Sequence, residues 1–260
     1  MQSTDAPSIF IIGIGWMGYH LAHYLKDKGY KIAGTVRSES KAGQLKKEGI
    51  KAYAMQLPRD PVPEAFSQAD VLIYTVPPRG SQEEAEDMVR YIIESAVQFN
   101  INKAIYISST SVYPETNATV TEEDADYLQS RHTGIVIKKL EDLWRESPLQ
   151  TTILRCGGLY GRERIPGSFL NSRPLTKPEK PVNMTHIVDV ERAVEQIIEE
   201  DVFGQVFNLI SVNGISRKDF YSRFRDDLEI SNNGSSSYKI VSKEKIENQL
   251  GVQFNGPGEQ

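Results

Sequence analysis

Apolar positions along the chain fall into short continuous runs separated by stretches with helical spacing. Ser8-Ile-Phe-Ile-Ile12 is such a run and reads as a parallel strand buried on both faces. Leu21, Tyr24 and Leu25 then recur at helical spacing between Tyr19 and Lys28, with Gly29 as a stop signal. Tyr30 to Val36 reads as a second strand, and Ser40 to Glu48 as a second helix closed by Gly49. A weak strand at Ala52 to Leu57 precedes a central one at Val71 to Val76, which Pro77-Pro78 closes. Glu83 to Phe99 carries a helical stripe of Met88, Tyr91, Ile92, Ala96 and Val97, and Ala104 to Ser108 is the next strand. After a polar loop from Thr110 to Tyr127, a helix is expected from Gly134 to Glu146 with Ile137, Leu140 and Leu143 or Trp144 facing inward. A sixth strand follows at Thr151 to Arg155. Gly157 to Asn183 lacks a period and is expected to be a long functional loop region over a cleft. Helix is expected again at Val188 to Glu199, strand at Gln205 to Ile210 and helix at Arg217 to Leu228. Ser231 to Ser237 reads as a flexible linker, and the end from Asn255 as frayed.

Strands alternating with helices of this length predict an α/β fold, a doubly wound parallel sheet whose ligands sit at the carboxyl ends of its strands. The 260 residues suit one such domain over residues 1–160 with a smaller lobe over 161–260, residues 186–211 returning to the main sheet. With 39% hydrophobic and 25% charged residues, the composition is that of a globular chain with a core. The net charge of −5 repels nucleic acid and anionic lipid, so neither is expected as a partner. Cys156 is the single cysteine, which excludes an intramolecular disulfide, and no Cys/His spacing suggests a metal. The first residues lack the pattern of a signal peptide, and no apolar run approaches the ~18 residues of a membrane helix. A cytoplasmic, membrane-free protein is expected.

Gly13-Ile-Gly15-Trp16-Met17-Gly18 lies where an apolar strand gives way to an amphipathic helix, the context in which Gly-x-Gly-x-x-Gly binds a dinucleotide. Gly13 permits the turn, Gly15 lets the backbone approach a pyrophosphate, and Gly18 lets helix and strand pack closely. The helix amides from Trp16 and Met17 onward then face the phosphates. At the end of the second strand, an acidic residue would select NAD through the ribose 2′-hydroxyl, whereas arginine accommodates the 2′-phosphate of NADP. Thr35-Val-Arg37-Ser38 offers a cation and hydroxyls and no carboxylate, so NADP is expected over NAD. The alternative is that Arg37 is a solvated surface charge.

Tyr106-Ile-Ser-Ser-Thr-Ser-Val-Tyr113 resembles the fifth-strand motif of the extended short-chain dehydrogenase/reductases, the NAD-dependent epimerase/dehydratase family. Ile153 to Gly161 resembles that family's sixth-strand segment, and Met184 to Ala193 its later strand-to-helix segment, so the resemblance spans about Ser8 to Ser211. The glycine turn, Thr75-Val76-Pro77-Pro78 and Ser109 to Tyr113 resemble an atypical branch of the family. The resemblance implies that Thr75, Val76 and Pro77 contact the cofactor. It also implies that a Ser polarises the substrate oxygen, a Tyr transfers its proton and a Lys four residues later holds the nicotinamide ribose. Ser109 matches the serine. The family's spacing then gives Gly134 in place of the tyrosine, with Lys138 four residues further on.

That departure leaves the proton donor open. Tyr127, with Arg131 four residues later, is out of register; Tyr113 and Tyr160 lie near strand ends, where packing is the competing reading. Lys138 and Lys139 are adjacent and either could face outward, and Ser109 could simply cap its strand. Arg162 and Arg164 open the unpatterned region and could grip an anionic substrate or form an exposed basic loop. His186 is expected as a buried, hydrogen-bonded side chain and Asp189 as a helix N-cap. The leading expectation is an NADP(H)-dependent oxidoreductase, monomer or homodimer, acting on a small anionic or sugar-like molecule held by the C-terminal lobe. The alternative is a redox sensor or interaction protein that binds NADP(H) without turnover. The glycine turn with Arg37 also resembles the β-hydroxyacid dehydrogenases, against which the segments at Ser109 and Arg155 count.

Overall fold

A computed structural model describes residues 6–125, 132–170, 173–231 and 237–256. Along the chain, β1 (Ser8–Ile12), α1 (Trp16–Asp27), β2 (Lys31–Val36), α2 (Glu39–Lys47) and β3 (Lys51–Ala54) alternate regularly. β4 (Val71–Tyr74), α3 (Gln82–Gln98), β5 (Lys103–Ser109), β6 (Thr119–Val120), α4 (His132–Glu146) and β7 (Gln150–Cys156) follow. Next come β8 (Gly158–Tyr160), β9 (Leu175–Thr176), β10 (Pro181–His186), α5 (Ile187–Glu199), β11 (Val206–Leu209), β12 (Val212–Ser216) and α6 (Arg217–Tyr221). The last elements are β13 (Ile230–Ser231), β14 (Ile240–Val241) and α7 (Glu244–Leu250).

Seven strands form one sheet in the order β11-β7-β5-β4-β1-β2-β3. β1 pairs in parallel with both β2 and β4, and β2–β3 and β4–β5 are parallel as well. The order reverses beside β1, which creates a crevice at the carboxyl ends of the central strands. This is the doubly wound α/β fold that the strand-helix alternation predicts. The apolar runs form strands because a sheet covered on both faces has no solvated side to accept polar residues; Phe10, Ile11 and Ile12 are each fully buried.

The chain divides into two compact units. The first comprises residues 1–108, 136–154 and 194–206, and the second residues 109–135, 155–193 and 207–260. The first unit's core packs Phe10, Phe66, Leu72, Tyr74, Tyr106 and Trp144. The second unit has its own core around Tyr160, Leu175, Val182, Phe220 and Tyr221. It also carries a sheet in the order β12-β10-β8, with β10 antiparallel to β12 and parallel to β8.

Several local expectations are corrected. In α3 the buried face is Ala85, Val89, Ile92 and Ala96, whereas Val97 is 47% exposed and Met88 and Tyr91 are only partly covered. The segment 157–183 is not a continuous loop: it holds β8, β9, the start of β10 and a 3-10 turn at Ser168–Leu170. Between 110 and 125, β6 pairs with the distant β14, and 3-10 turns occupy Thr110–Val112 and Glu122–Asp124. α6 ends at Tyr221 instead of Leu228. Downstream, Arg225 donates to the Gly167 carbonyl at 3.1 Å and β13 pairs with β9, so tertiary partners replace helical ones. Among the described residues, no helix is long and apolar enough to cross a membrane, and no group of three His, Cys, Asp or Glu side chains could hold a metal ion.

Candidate functional site

The turn after β1 is built by backbone geometry. Gly13 has φ +92°, a conformation that side-chain-bearing residues resist. Its amide donates to the Thr35 hydroxyl at 3.0 Å, and the Ile14 amide donates to the Thr35 carbonyl at 2.7 Å, which ties the turn to β2. On the other side, the Thr75 hydroxyl lies 2.5 Å from the Gly13 carbonyl, tying the turn to the end of β4. A Cβ at Gly18 would lie 2.7 Å from the Gly13 carbonyl oxygen, so α1 crosses β1 at a distance only glycine allows. Gly15 differs from both. A Cβ there would meet no protein atom closer than 4.0 Å, so the space in front of it is open.

Gly15 is also the N-cap of α1 and provides no side-chain cap, and the helix's first turn holds no acidic residue. By contrast, α3 opens with a capping box in which Ser81 and Glu84 satisfy each other's amides. The cap of α1 therefore supplies no side-chain acceptor to the first turn, and Gly15 leaves an open approach to it. That combination fits the pyrophosphate of a dinucleotide: positive partial charge, directional donors and room for the group.

At the carboxyl end of β2, Arg37 and Ser38 are both exposed. The Ser38 hydroxyl caps α2 by accepting from the Lys41 amide at 3.3 Å. Beside the turn, Thr75 and Val76 are half-buried and Pro77 is exposed. Trp16 is half-buried, its ring edge-on to His20 at 5.5 Å, and Met17 is buried. All of these candidates belong to the first unit.

Lys138 also belongs to it. The lysine is buried, 8% exposed, and its ammonium pairs with Asp142 one turn on, so it is Lys139 that lies nearer the surface. On the same helical face stands Glu141, fully buried and accepting from the Ser108 hydroxyl at 2.6 Å. Glu141 was not evident from sequence, because a glutamate at helical spacing reads as a solvated face. Gly134 is buried and brings no hydroxyl.

Ser109 falls in the second unit. Its hydroxyl caps the short turn Thr110–Val112, accepting from the Ser111 amide at 3.2 Å and lying 3.0 Å from the Ser111 hydroxyl. Of the tyrosines considered as proton donors, Tyr127 lies outside the described residues, as does Arg131. Tyr113 is locked: its hydroxyl donates to Asn208 Oδ1 at 2.6 Å and accepts from Arg155 at 2.8 Å. Burial pushes its pKa up to about 12 despite the arginine beside it. Arg155 in turn donates to the Glu122 carbonyl at 2.8 Å, and the Glu122 carboxylate accepts from the Asn208 backbone amide at 2.8 Å, a buried network that leaves Asn208 Nδ2 without a partner among the described residues.

Tyr160 lines a cavity of about 580 Å³ formed within the second unit. Arg162, His186, Phe220, Arg223 and Phe224 share that lining, whereas Arg164 is exposed on the adjoining turn and absent from it. Arg162 sits at φ +50° in a tight turn closed by hydrogen bonds of 3.1 and 3.0 Å between Gly161 and Arg164. Its guanidinium grips both oxygens of the buried Glu191, at 2.9 and 3.2 Å. Burial raises the Glu191 pKa and Arg162 opposes that rise. His186 is 8% exposed, with Nδ1 accepting from the Val188 amide at 3.2 Å, and burial lowers its pKa. The expectation for His186 thus holds, but that for Asp189 does not. α5 begins at Ile187, and Asp189 lies inside its first turn, fully buried, accepting from Ser211 at 2.5 Å and from the Gly256 amide at 2.7 Å.

A family model described as NAD(P)H-binding matches residues 13–200. The chain is 28% identical over 269 residues to Protein YeeZ of Escherichia coli strain K12, covering 96% of each. A short-chain dehydrogenase/reductase superfamily protein from Agrobacterium tumefaciens, solved with bound NAD, superposes with a TM-score of 0.74 at 18% identity, covering 95% of this chain and 92% of that one. MoeE5, solved in complex with UDP-glucose and NAD, superposes with a TM-score of 0.72 at 17% identity, covering 95% and 93%.

Proposed function

The chain belongs to the NAD(P)H-binding family, and on that premise we propose that it is an NADP(H)-dependent, atypical short-chain dehydrogenase/reductase acting on a small anionic or sugar-like molecule. The observation that carries the cofactor choice is the end of β2, where exposed Arg37 and Ser38 stand and the nearest carboxylate is Glu39, the first residue of α2. The amides of Trp16, Met17 and Gly18 hold the pyrophosphate, Gly13 and Gly15 shape its approach, and Arg37 with Ser38 grips the 2′-phosphate. Thr75, Val76 and Pro77 form the neighbouring wall. When bound, the nicotinamide supplies hydride. Lys138, whose ammonium pairs with Asp142, orients its ribose. Ser109 takes the role of substrate-oxygen donor, and the second unit's cavity, with Arg162 on its lining and Arg164 nearby, holds the substrate. MoeE5, with NAD and a nucleotide sugar, supports a small-molecule substrate. The single cysteine, fully buried, accords with a cytoplasmic location.

A second reading, binding without turnover, is favoured by two observations: glycine stands at 134, where the family resemblance implies a proton-donating tyrosine, and Tyr113 is committed to its buried network. The two readings part on a single assay. Purified protein with NADPH is offered a panel of aldehydes, ketones and keto acids while nicotinamide absorbance is followed. Oxidation of NADPH that is lost in Lys138→Met supports the enzyme; tight binding with no consumption across the panel supports the sensor.

A further inference from the structure

We infer that His186 is a specificity-determining residue of the second unit's cavity: its Nε2 is a hydrogen-bond donor of fixed tautomer, and it selects a ligand that presents a carbonyl oxygen. The inference rests on the proposed role of this cavity as the substrate site and names the group by which the ligand is held. The volume of about 580 Å³ lies inside the roughly 300–1,000 Å³ range of small-molecule sites.

The imidazole is held in place from several sides. The His186 amide donates to the Ser211 hydroxyl at 2.7 Å, and Ser211 donates to the buried Asp189 at 2.5 Å, which fixes the backbone at the end of β10. Tyr160 meets the ring edge-on with centroids 4.8 Å apart. Gly161 lies against its face: a Cβ there would be 2.7 Å from Cδ2, 2.9 Å from Cε1 and closer still to Nε2, which is a position over the ring and not at its rim. Glycine at 161 makes room for the imidazole and leaves the Nε2 edge uncovered.

Hydrogen bonding then sets the tautomer. Nδ1 accepts from the Val188 amide at 3.2 Å, and a ring nitrogen that accepts carries no proton, so in the neutral ring the proton is on Nε2. The ring is neutral at neutral pH, because burial lowers its pKa; Arg162 acts in the same direction and Asp189 against it. Among the described residues Nε2 has no hydrogen-bond partner, although the side chain lines the cavity and His186 is only 8% exposed. A donor so enclosed is costly unless a ligand or water accepts from it.

The rest of the lining decides which acceptor fits. Tyr160, 7% exposed, also has a hydroxyl without a hydrogen-bond partner among the described residues, and burial pushes its pKa up to about 12, so it keeps its proton. Among the described residues no carboxylate lines the cavity to receive an ammonium, and the Asn255 side-chain oxygen already accepts from Lys243 at 2.9 Å. A carbonyl oxygen has two acceptor lone pairs and no proton of its own to place, which matches two neutral donors. Phe224 at 40% and Ile165 at 50% exposure leave apolar surface on the lining for a ring beside that carbonyl.

The test is nitrogen NMR of the full chain carrying isotope-labelled histidine, at neutral pH with NADPH present. The probes are acetophenone, 1-phenylethanol and 1-phenylethylamine, which share a skeleton, and NADPH itself is titrated on the same preparations. The His186 signal, assigned by its absence in His186→Asn, should report a proton on Nε2 before any probe is added, and acetophenone should shift it. Acetophenone should bind about fivefold more tightly than the alcohol and about tenfold more tightly than the amine. His186→Asn keeps an acceptor for the Val188 amide but loses Nε2, and Tyr160→Phe keeps the ring but loses the hydroxyl; with folding checked by thermal unfolding, each should weaken acetophenone about fivefold and leave the amine unchanged. A proton on Nδ1, which is read on the parent protein and needs no variant, would overturn the inference. So would a His186 signal that acetophenone does not move, an alcohol or amine that binds as tightly as the ketone, or undiminished ketone binding in His186→Asn. The NADPH titration keeps the two proposals apart: normal NADPH binding with a failed probe series removes only the role of His186, whereas absent NADPH binding removes the cofactor reading.

Discussion

The glycine turn of the first unit and the cavity of the second are built from different materials. The turn is made of backbone: a left-handed Gly13, an uncluttered Gly15 and a Gly18 that touches the Gly13 carbonyl, all within six consecutive residues. The cavity is made of side chains brought from β8 and the turn after it, the end of β10, α6 and its downstream turn, and Asn255 near the C-terminus. A backbone site tolerates little, because Gly13 and Gly18 each answer to a steric limit. A side-chain site is tunable, since any one contact can change while the others persist. The difference predicts rigid cofactor recognition combined with adjustable ligand choice.

The sharpest way to break that comparison is Gly18→Val. Its side chain would overlap the Gly13 carbonyl, pushing α1 off β1 at a cost of about 1–3 kcal/mol and moving the first-turn amides. Thermal unfolding should show the loss and NADPH fluorescence should show no binding. Arg37→Glu comes next: it should weaken NADPH by about 10- to 100-fold while leaving NADH nearly unchanged. Equal losses for both cofactors would make Arg37 an ordinary surface charge.

In the second unit the effects are smaller. Glu191→Gln keeps a hydrogen-bond acceptor for Arg162 but removes the balancing charge, costing about 1 kcal/mol of stability. Thermal unfolding should show that loss, and a Tm equal to that of the parent protein would mean that the Arg162–Glu191 pair adds no net stability. The smallest effect is the pH dependence of His186. Its folded pKa lies below the ordinary 6.5, so the unfolded chain takes up the proton first as pH falls. The neutral histidine's contribution is complete above pH 6.5 and is lost as pH falls through and below that value. His186→Asn, which can still cap α5 through Val188, should flatten this part of the stability-pH curve. A curve superimposable on that of the parent protein would exclude His186 as its source.

How much of this was legible in the sequence follows the same division. β1, β2 and β4 are apolar runs because both faces of their sheet are covered, and the glycine turn is legible because its steric demands fall on adjacent residues. The sheet β12-β10-β8 was missed because its strands are short and pair across long separations, so no local period announces them. Glu141 and Glu191 were missed for a related reason: each is a buried carboxylate whose partner, Ser108 or Arg162, lies about 30 residues away, and a helix-borne glutamate has no signature apart from such a partner. Arg162 was legible as a residue near a ligand site but not as one already balanced.

The central claim is that the first unit's backbone turn, with Arg37 beyond it, selects NADPH. Side-by-side titration of the parent protein and Arg37→Glu with NADPH and NADH, followed by nicotinamide fluorescence, tests it most directly. The account predicts that the parent binds NADPH at least about tenfold more tightly than NADH and that Arg37→Glu erases the difference; binding of neither cofactor, or a parent protein that prefers NADH, would contradict it.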